Sequence, residues 1–193
     1  MRRRHALLAL PLLAAGCAAS DGPMFQQASL PRGFTDGAGD PLRAAILQAN
    51  AAFSNPAALQ GNPAAAARAI AEMEFLAVQL PGNPTIPGNT GLVQPMLFGA
   101  RSEWRRALGI SHEVAAQPVI NALFAAAGAL DAGQREAAAA ALPRDVFGLG
   151  GAGTVERLGA LPPLPQTAAA ANAAQQALTA PQFMPGGPRG RFR

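Results

Sequence analysis

Apolar positions recur at helical spacing along most of the chain, and no stretch alternates apolar with polar over a strand's length. Asp40-Pro41 supplies an N-cap carboxylate followed by Pro at the first helical position, and Leu42, Ala45, Ile46, Ala49 and Phe53 then fall on one face. Asn55-Pro56 opens a short helical turn, and Asn62-Pro63 repeats the start signal. The helix it begins runs to about Leu80 on a stripe of Ala66, Ile70, Met73, Ala77 and Leu80, with Arg68 and Glu72 one turn apart as a surface pair, and Pro81 stops it. A third helix over about 92–108 places Leu97, Ala100, Trp104, Ala107 and Leu108 together, with Gly109 as its C-terminal cap and Ile110 closing the cap. Ser111 caps the following segment, which Pro118 must kink or restart, and Ile120, Leu123, Phe124 and Ala127 continue it. Asp131 and Gln134 have capping-box spacing for an Ala-rich helix ending at Pro143, and Thr154 is placed to cap a short helix through Leu158. The pattern predicts an all-α fold, an irregular bundle of about five or six helices with its core at roughly 40–160.

The remaining segments carry weaker patterns. Residues 81–90 hold a near-repeat, Pro-Gly-Asn-Pro-Thr then Pro-Gly-Asn-Thr, whose prolines and glycines forbid regular structure. This stretch reads as a connector, with a binding loop as the alternative. Pro162-Pro163-Leu164-Pro165 enforces an extended link. Residues 167–179 have high helix propensity but almost no large apolar side chain, so the expectation for 161–180 is a proline linker and an Ala/Gln-rich helix that packs weakly or lies along the surface. Residues 181–193 read as a disordered tail. Residues 17–39 read as a tether, with Phe25, Leu30 and Phe34 able to dock on the domain.

The first residues have a different character. Arg2, Arg3, Arg4 and His5 precede an apolar run from Ala6 to Ala15 that Pro11 interrupts, a signal-peptide pattern too short to span a bilayer. Ala14-Ala15-Gly16-Cys17 resembles the lipobox of bacterial lipoproteins, with Ala14 where Leu is common. The resemblance covers residues 1–17. It implies removal of 1–16 and acylation of the Cys17 thiol and its new amine, with the membrane as partner through the lipid. It also implies a cell-envelope location facing the periplasm, the outer membrane favoured over the inner because residue 18 is Ala rather than Asp. As the single cysteine, Cys17 has no disulfide partner within the chain.

Composition narrows the chemistry. The 15 basic residues are all Arg, and removal of the signal leaves 12 against 11 acidic residues, three of them in the last five positions. That near-neutral balance argues against nucleic acid as a partner. One His outside the signal and one acylated Cys cannot make a His/Cys metal site, so no metal and no cofactor is expected. Gly148-x-Gly150-x-x-Gly153 spells a dinucleotide fingerprint without the strand it needs, and a flexible glycine loop explains it. Ser111, His112 and Glu113 are adjacent in sequence, which does not make a triad. Glu72, Glu74, Glu103 and Glu113 are available as a carboxylate pair for glycoside cleavage, but a chain with one Trp and no Tyr lacks the usual sugar platform. The densest charge lies in Arg101-Ser102-Glu103-Trp104-Arg105-Arg106. Arg101, Trp104, Arg105 and Arg106 form a candidate patch for an anionic group or a protein, against the alternative of a solvated face with Trp104 in the core. The resulting reading is a non-enzymatic, membrane-anchored module that contacts another envelope protein. A binding module for a small anionic or lipidic ligand is the alternative, and an envelope hydrolase is third.

Overall fold

A computed structural model of the protein describes residues 27–35, 39–86, 88 and 91–180. Among the described residues, seven α-helices and one 3-10 turn occur in order: α1 (Pro41–Ser54), the turn Pro56–Leu59, α2 (Pro63–Gln79), α3 (Val93–Leu108), α4 (Ala116–Asp131), α5 (Arg135–Ala140), α6 (Gly150–Gly159) and α7 (Pro165–Thr179). The fold is an all-α irregular bundle. Among the described residues the one β-type pairing is an isolated bridge between Ile110 and Phe147.

The local start and stop signals act as their chemistry requires. The Asp40 carboxylate accepts the Leu42 N–H at 2.9 Å, and the Asn62 amide oxygen accepts the Ala65 N–H at 3.0 Å. Gly109, at φ 68°, ends α3 with its own N–H on the Arg106 carbonyl and the Ile110 N–H on the Arg105 carbonyl, the paired bonds of a Schellman cap. α4 ends in the same way at Gly133, where the Gln134 N–H reaches the Ala129 carbonyl. Asp131 therefore belongs to the last turn of α4 and does not cap α5. Its carboxylate pairs with Arg68, which in turn is not a surface partner of Glu72. Pro118 sits in the first turn of α4, where its missing N–H costs nothing.

Two glycine- and alanine-rich stretches differ from expectation for one reason. Small side chains let backbones approach closely, so a helix without large residues can still be firmly buried. Gly150–Gly153 is the first turn of α6 and not a flexible loop; a Cβ on Gly151 would lie 1.9 Å from the Ala139 carbonyl oxygen of α5. Thr154, inside this helix, returns its hydroxyl to the Gly150 carbonyl and does not cap it. α7 likewise buries Thr167, Ala170, Ala171, Ala174 and Ala177 against α1 and α3, so the core continues well past residue 160. The tether is also partly docked. Ser29 and Gln117 exchange backbone and amide hydrogen bonds, the Gln79 amide donates to the Ala28 carbonyl at 2.7 Å, and Phe34 meets Phe124 edge-on at 5.9 Å. Leu30 packs against the core beside them, while Phe25 lies outside the described residues.

These contacts give the bundle two distinct ends. α2 and α4 run antiparallel, Gln79 and Gln117 both holding residues 28–29 at one end and Arg68 meeting Asp131 at the other. α3 and α7 are antiparallel as well. Glu103 caps α7 through the N–H groups of Gln166 and Thr167, and the Gly88 N–H bonds the Ala177 carbonyl at 2.8 Å. Arg43, at the start of α1, reaches the Thr85 carbonyl. One end, the terminal end, thus gathers residues 27–29, residues 81–86 and 88, the start of α3 and the end of α7. The opposite end gathers the 3-10 turn, the starts of α2 and α7, and the end of α6, where the Gly61 N–H bonds the Gly159 carbonyl.

Candidate functional site

The four residues of the charged segment in α3 do not form one exposed patch. Helical spacing turns Arg101, Trp104 and Arg105 inward, onto α2, where Glu74 is fully buried. Its Oε1 accepts from Arg101 Nε at 2.9 Å and from Arg101 Nη2 at 2.6 Å, and its Oε2 accepts from Trp104 Nε1 at 2.8 Å and Arg105 Nε at 3.2 Å. Arg105 Nη2 also donates to Glu74. Burial alone would raise the Glu74 pKa, but the hydrogen bonds and charges of Arg105 and Arg101 outweigh it and hold the carboxyl below its ordinary value. The remaining Arg105 nitrogen donates to the carbonyls of Ser111 and Val114, each at 2.8 Å. One carboxylate and one guanidinium therefore join α2, α3 and the 109–115 connector. The like charges at one-turn spacing are compensated from within, and of the four residues Arg106 alone is exposed, with no ion pair among the described residues.

The other acid and base candidates are dispersed. Glu103 is committed to the α7 N-terminus, its Oε2 accepting the Thr167 N–H and hydroxyl at 2.8 and 2.7 Å. Ser111, His112 and Glu113 are exposed, and the Ser111 hydroxyl accepts the Glu113 N–H across a local turn. Among the described residues no group of three His, Cys, Asp or Glu side chains is placed to hold a metal ion.

Glu72 is buried where a surface pair was expected. Burial pushes its pKa from the ordinary 4.5 up to about 8, with the Arg68 charge opposing the rise. The folded protein then keeps this proton over a range where the unfolded chain has released it, so its contribution falls as pH rises between about 4.5 and about 8. Glu72→Gln should flatten the loss of thermal stability from mildly acidic to mildly basic pH and raise the melting temperature at the basic side. A melting-temperature series across that range that matches the unsubstituted protein would refute this.

Two predominantly apolar surfaces are open among the described residues. The first is an apolar groove of about 430 Å³ at the end opposite residues 27–29, between the end of α1, the 3-10 turn and the α6–α7 link. Its walls include Phe53, Leu59, Leu161, Pro162, Pro163 and Ala168, and no charged side chain lines it. Its floor is fixed by the Gln60 amide donating to the Leu161 carbonyl at 3.0 Å. Sequence reasoning missed this groove, although an apolar proline run that cannot enter a helix is the signal of a rigid wall. The second is the start of α3, where Leu92, just before the helix, is 74% exposed, and Phe98 (54%) and Met96 (37%) are exposed on different sides of its first two turns. Neither surface touches Trp104.

No protein-family model, no curated protein and no solved structure matches this chain.

Proposed function

We propose that the protein is an exported lipoprotein, held on the cell envelope by acyl groups on Cys17, and that it acts as a non-enzymatic module whose groove takes an apolar segment of another envelope protein. The groove carries this reading. Its lining of aliphatic, aromatic and proline side chains offers no charge to an ionic ligand and favours an apolar occupant by removing surface from water. Prolines at 162, 163 and 165 fix the backbone of one wall, so little ordering is needed on binding. The inward-facing arginines of α3, which bond Glu74, give no support to an anionic ligand at Trp104, and the exposed turn of Ser111, His112 and Glu113, where the Ser111 hydroxyl accepts the Glu113 N–H, gives none to hydrolysis. A second reading has its own support: the groove lies within the size range of small-molecule sites, so a lipid acyl chain could occupy it.

A photo-crosslinking residue in place of the exposed Ala57, at the rim of the groove, separates the two in intact cells. A protein adduct that disappears with Ala168→Asp, which puts a charge into the groove, is the expected result. A lipid adduct alone would establish the second reading, and no adduct at Ala57 would remove both.

A further inference from the structure

Two carboxyls of α2, two residues apart, are buried with opposite results. Glu74 faces α3 and is held ionised, because Arg101, Trp104 and Arg105 all bond it. Two positions turn an α-helix by about 200°, so Glu72 lies on the side away from α3. It is 3% exposed, and no hydrogen bond reaches its carboxyl among the described residues. Burial without such partners keeps its proton on, with a pKa pushed up to about 8. The charge that acts on it is Arg68, one turn away on the same helix, and the Arg68 guanidinium bonds Asp131 in the last turn of α4. The other charged groups on elements packed against α2 are engaged elsewhere or turned outward. Arg101, Glu103 and Arg105 of α3 bond Glu74 or α7, Arg43 of α1 reaches Asp40 and Thr85, and Glu156 and Arg157 of α6 are exposed. Asp131 is the one charged residue of α4.

We infer that Glu72, Arg68 and Asp131 form a proton-controlled clasp between α2 and α4: while Glu72 is protonated Arg68 holds Asp131, and when Glu72 gives its proton to solvent Arg68 turns to Glu72 and releases the end of α4. Relative strengths decide the direction. The Arg68–Asp131 pair is part-exposed on both sides, 38% and 50%, and such a pair contributes little. A carboxylate buried without a counter-ion is strongly unfavourable, so an ionised Glu72 has the greater claim on the one guanidinium beside it. Asp131 stays hydrated when abandoned, which keeps the exchange cheap. Side chains one turn apart on a helix are about 5–6 Å apart at Cβ, so a rotation of the Arg68 side chain suffices and no backbone need move. Because Arg68 favours the charged form once it has turned, proton loss coupled to this rotation comes below about 8, towards neutral pH. The release falls on a defined place. Asp131 leads into the Gly133 turn, where the Gln134 N–H bonds the Ala129 carbonyl, and its pair with Arg68 is the ion pair that ties this turn to α2.

The test follows the native protein, labelled with carbon-13 and nitrogen-15 and held in detergent micelles, by NMR from about pH 5 to about pH 9. The Glu72 carboxyl carbon is expected to titrate well above the ordinary 4.5. The Arg68 Nε and Asp131 carboxyl signals should move with the same midpoint, and the amides of Ala132, Gly133 and Gln134 should lose hydrogen-exchange protection above it. Glu72→Gln should hold the Arg68 and Asp131 signals constant across the range. Two surface variants then separate a clasp from a merely buried acid, and they keep the test open if Glu72→Gln does not fold. Asp131→Asn frees Arg68 and should lower the Glu72 midpoint by up to about half a pH unit, and Arg68→Gln should raise it. Arg68 and Asp131 signals that stay fixed while Glu72 titrates would overturn the inference, since the new charge would then be met by water or by another group. A Glu72 midpoint near 4.5, an unchanged pH response in Glu72→Gln, or a midpoint that neither surface variant shifts would each overturn it as well.

Discussion

Glu74→Ala is expected to remove a large share of the folding stability of this protein. The substitution leaves Arg105, 1% exposed, without its counter-ion, and takes the Glu74 oxygens away from Arg101 and Trp104 Nε1. Breaking a buried pair from one side costs about 3–5 kcal/mol, against a total stability of about 5–15 kcal/mol for a typical domain. Urea melts should show a large fall in midpoint with circular dichroism at low denaturant still helical, or no cooperative transition at all. Arg105→Ala should be comparably damaging, because it strands the carboxylate and also removes the donor to Ser111 and Val114. The pair need not be worth that much in net terms. Replacing both partners with apolar groups of similar volume, Glu74→Leu with Arg105→Met, should recover part of the loss, since neither buried charge then remains unpaired. An unfolding free energy for Glu74→Ala within about 0.5 kcal/mol of that of the unsubstituted protein would mean that water reaches Arg105, contrary to its burial.

How far the sequence led depends on the kind of signal. The Asp40-Pro41 and Asn62-Pro63 starts and the Gly109 cap act through neighbours in sequence, and these local bonds form as expected. Large apolar stripes were equally legible: Leu42, Ile46, Phe53, Ile70, Leu97, Trp104, Leu108, Ile120 and Leu123 are all buried. Closely packed small residues were not. A hydrophobic stripe of alanines in 167–179 and glycines in 148–153 has little area per residue, so its periodicity looks like a surface helix or a loop until a partner backbone is present to fill the space. Charges were the least legible. Arg68 is one turn from Glu72 but bonds Asp131, and Arg105 is in a charged run but bonds Glu74 on another helix. Both choices depend on the packing of α2 against α3 and α4, which no local spacing states. The groove requires three separate segments to meet, and it too was out of reach.

Cys17→Ser should release the protein from the envelope membranes. Each methylene buried in lipid contributes about 0.8 kcal/mol, and one acyl chain gives only marginal binding, so firm attachment needs the several chains that the lipobox resemblance implies. Among the described residues no helix is long and apolar enough to cross a membrane, so none of these helices offers a substitute anchor. In fractionated cells the Ser variant is expected in the aqueous fraction at high salt, and equal retention with membranes would mean that the attachment does not depend on Cys17.

The intact mass of the native protein extracted from membranes tests the account at its base. A chain beginning at Cys17 and heavier by a diacylglyceryl thioether, with or without an amide-linked acyl group, is the expected result. A mass that still includes Met1, or a chain with a bare thiol at position 17, would contradict it.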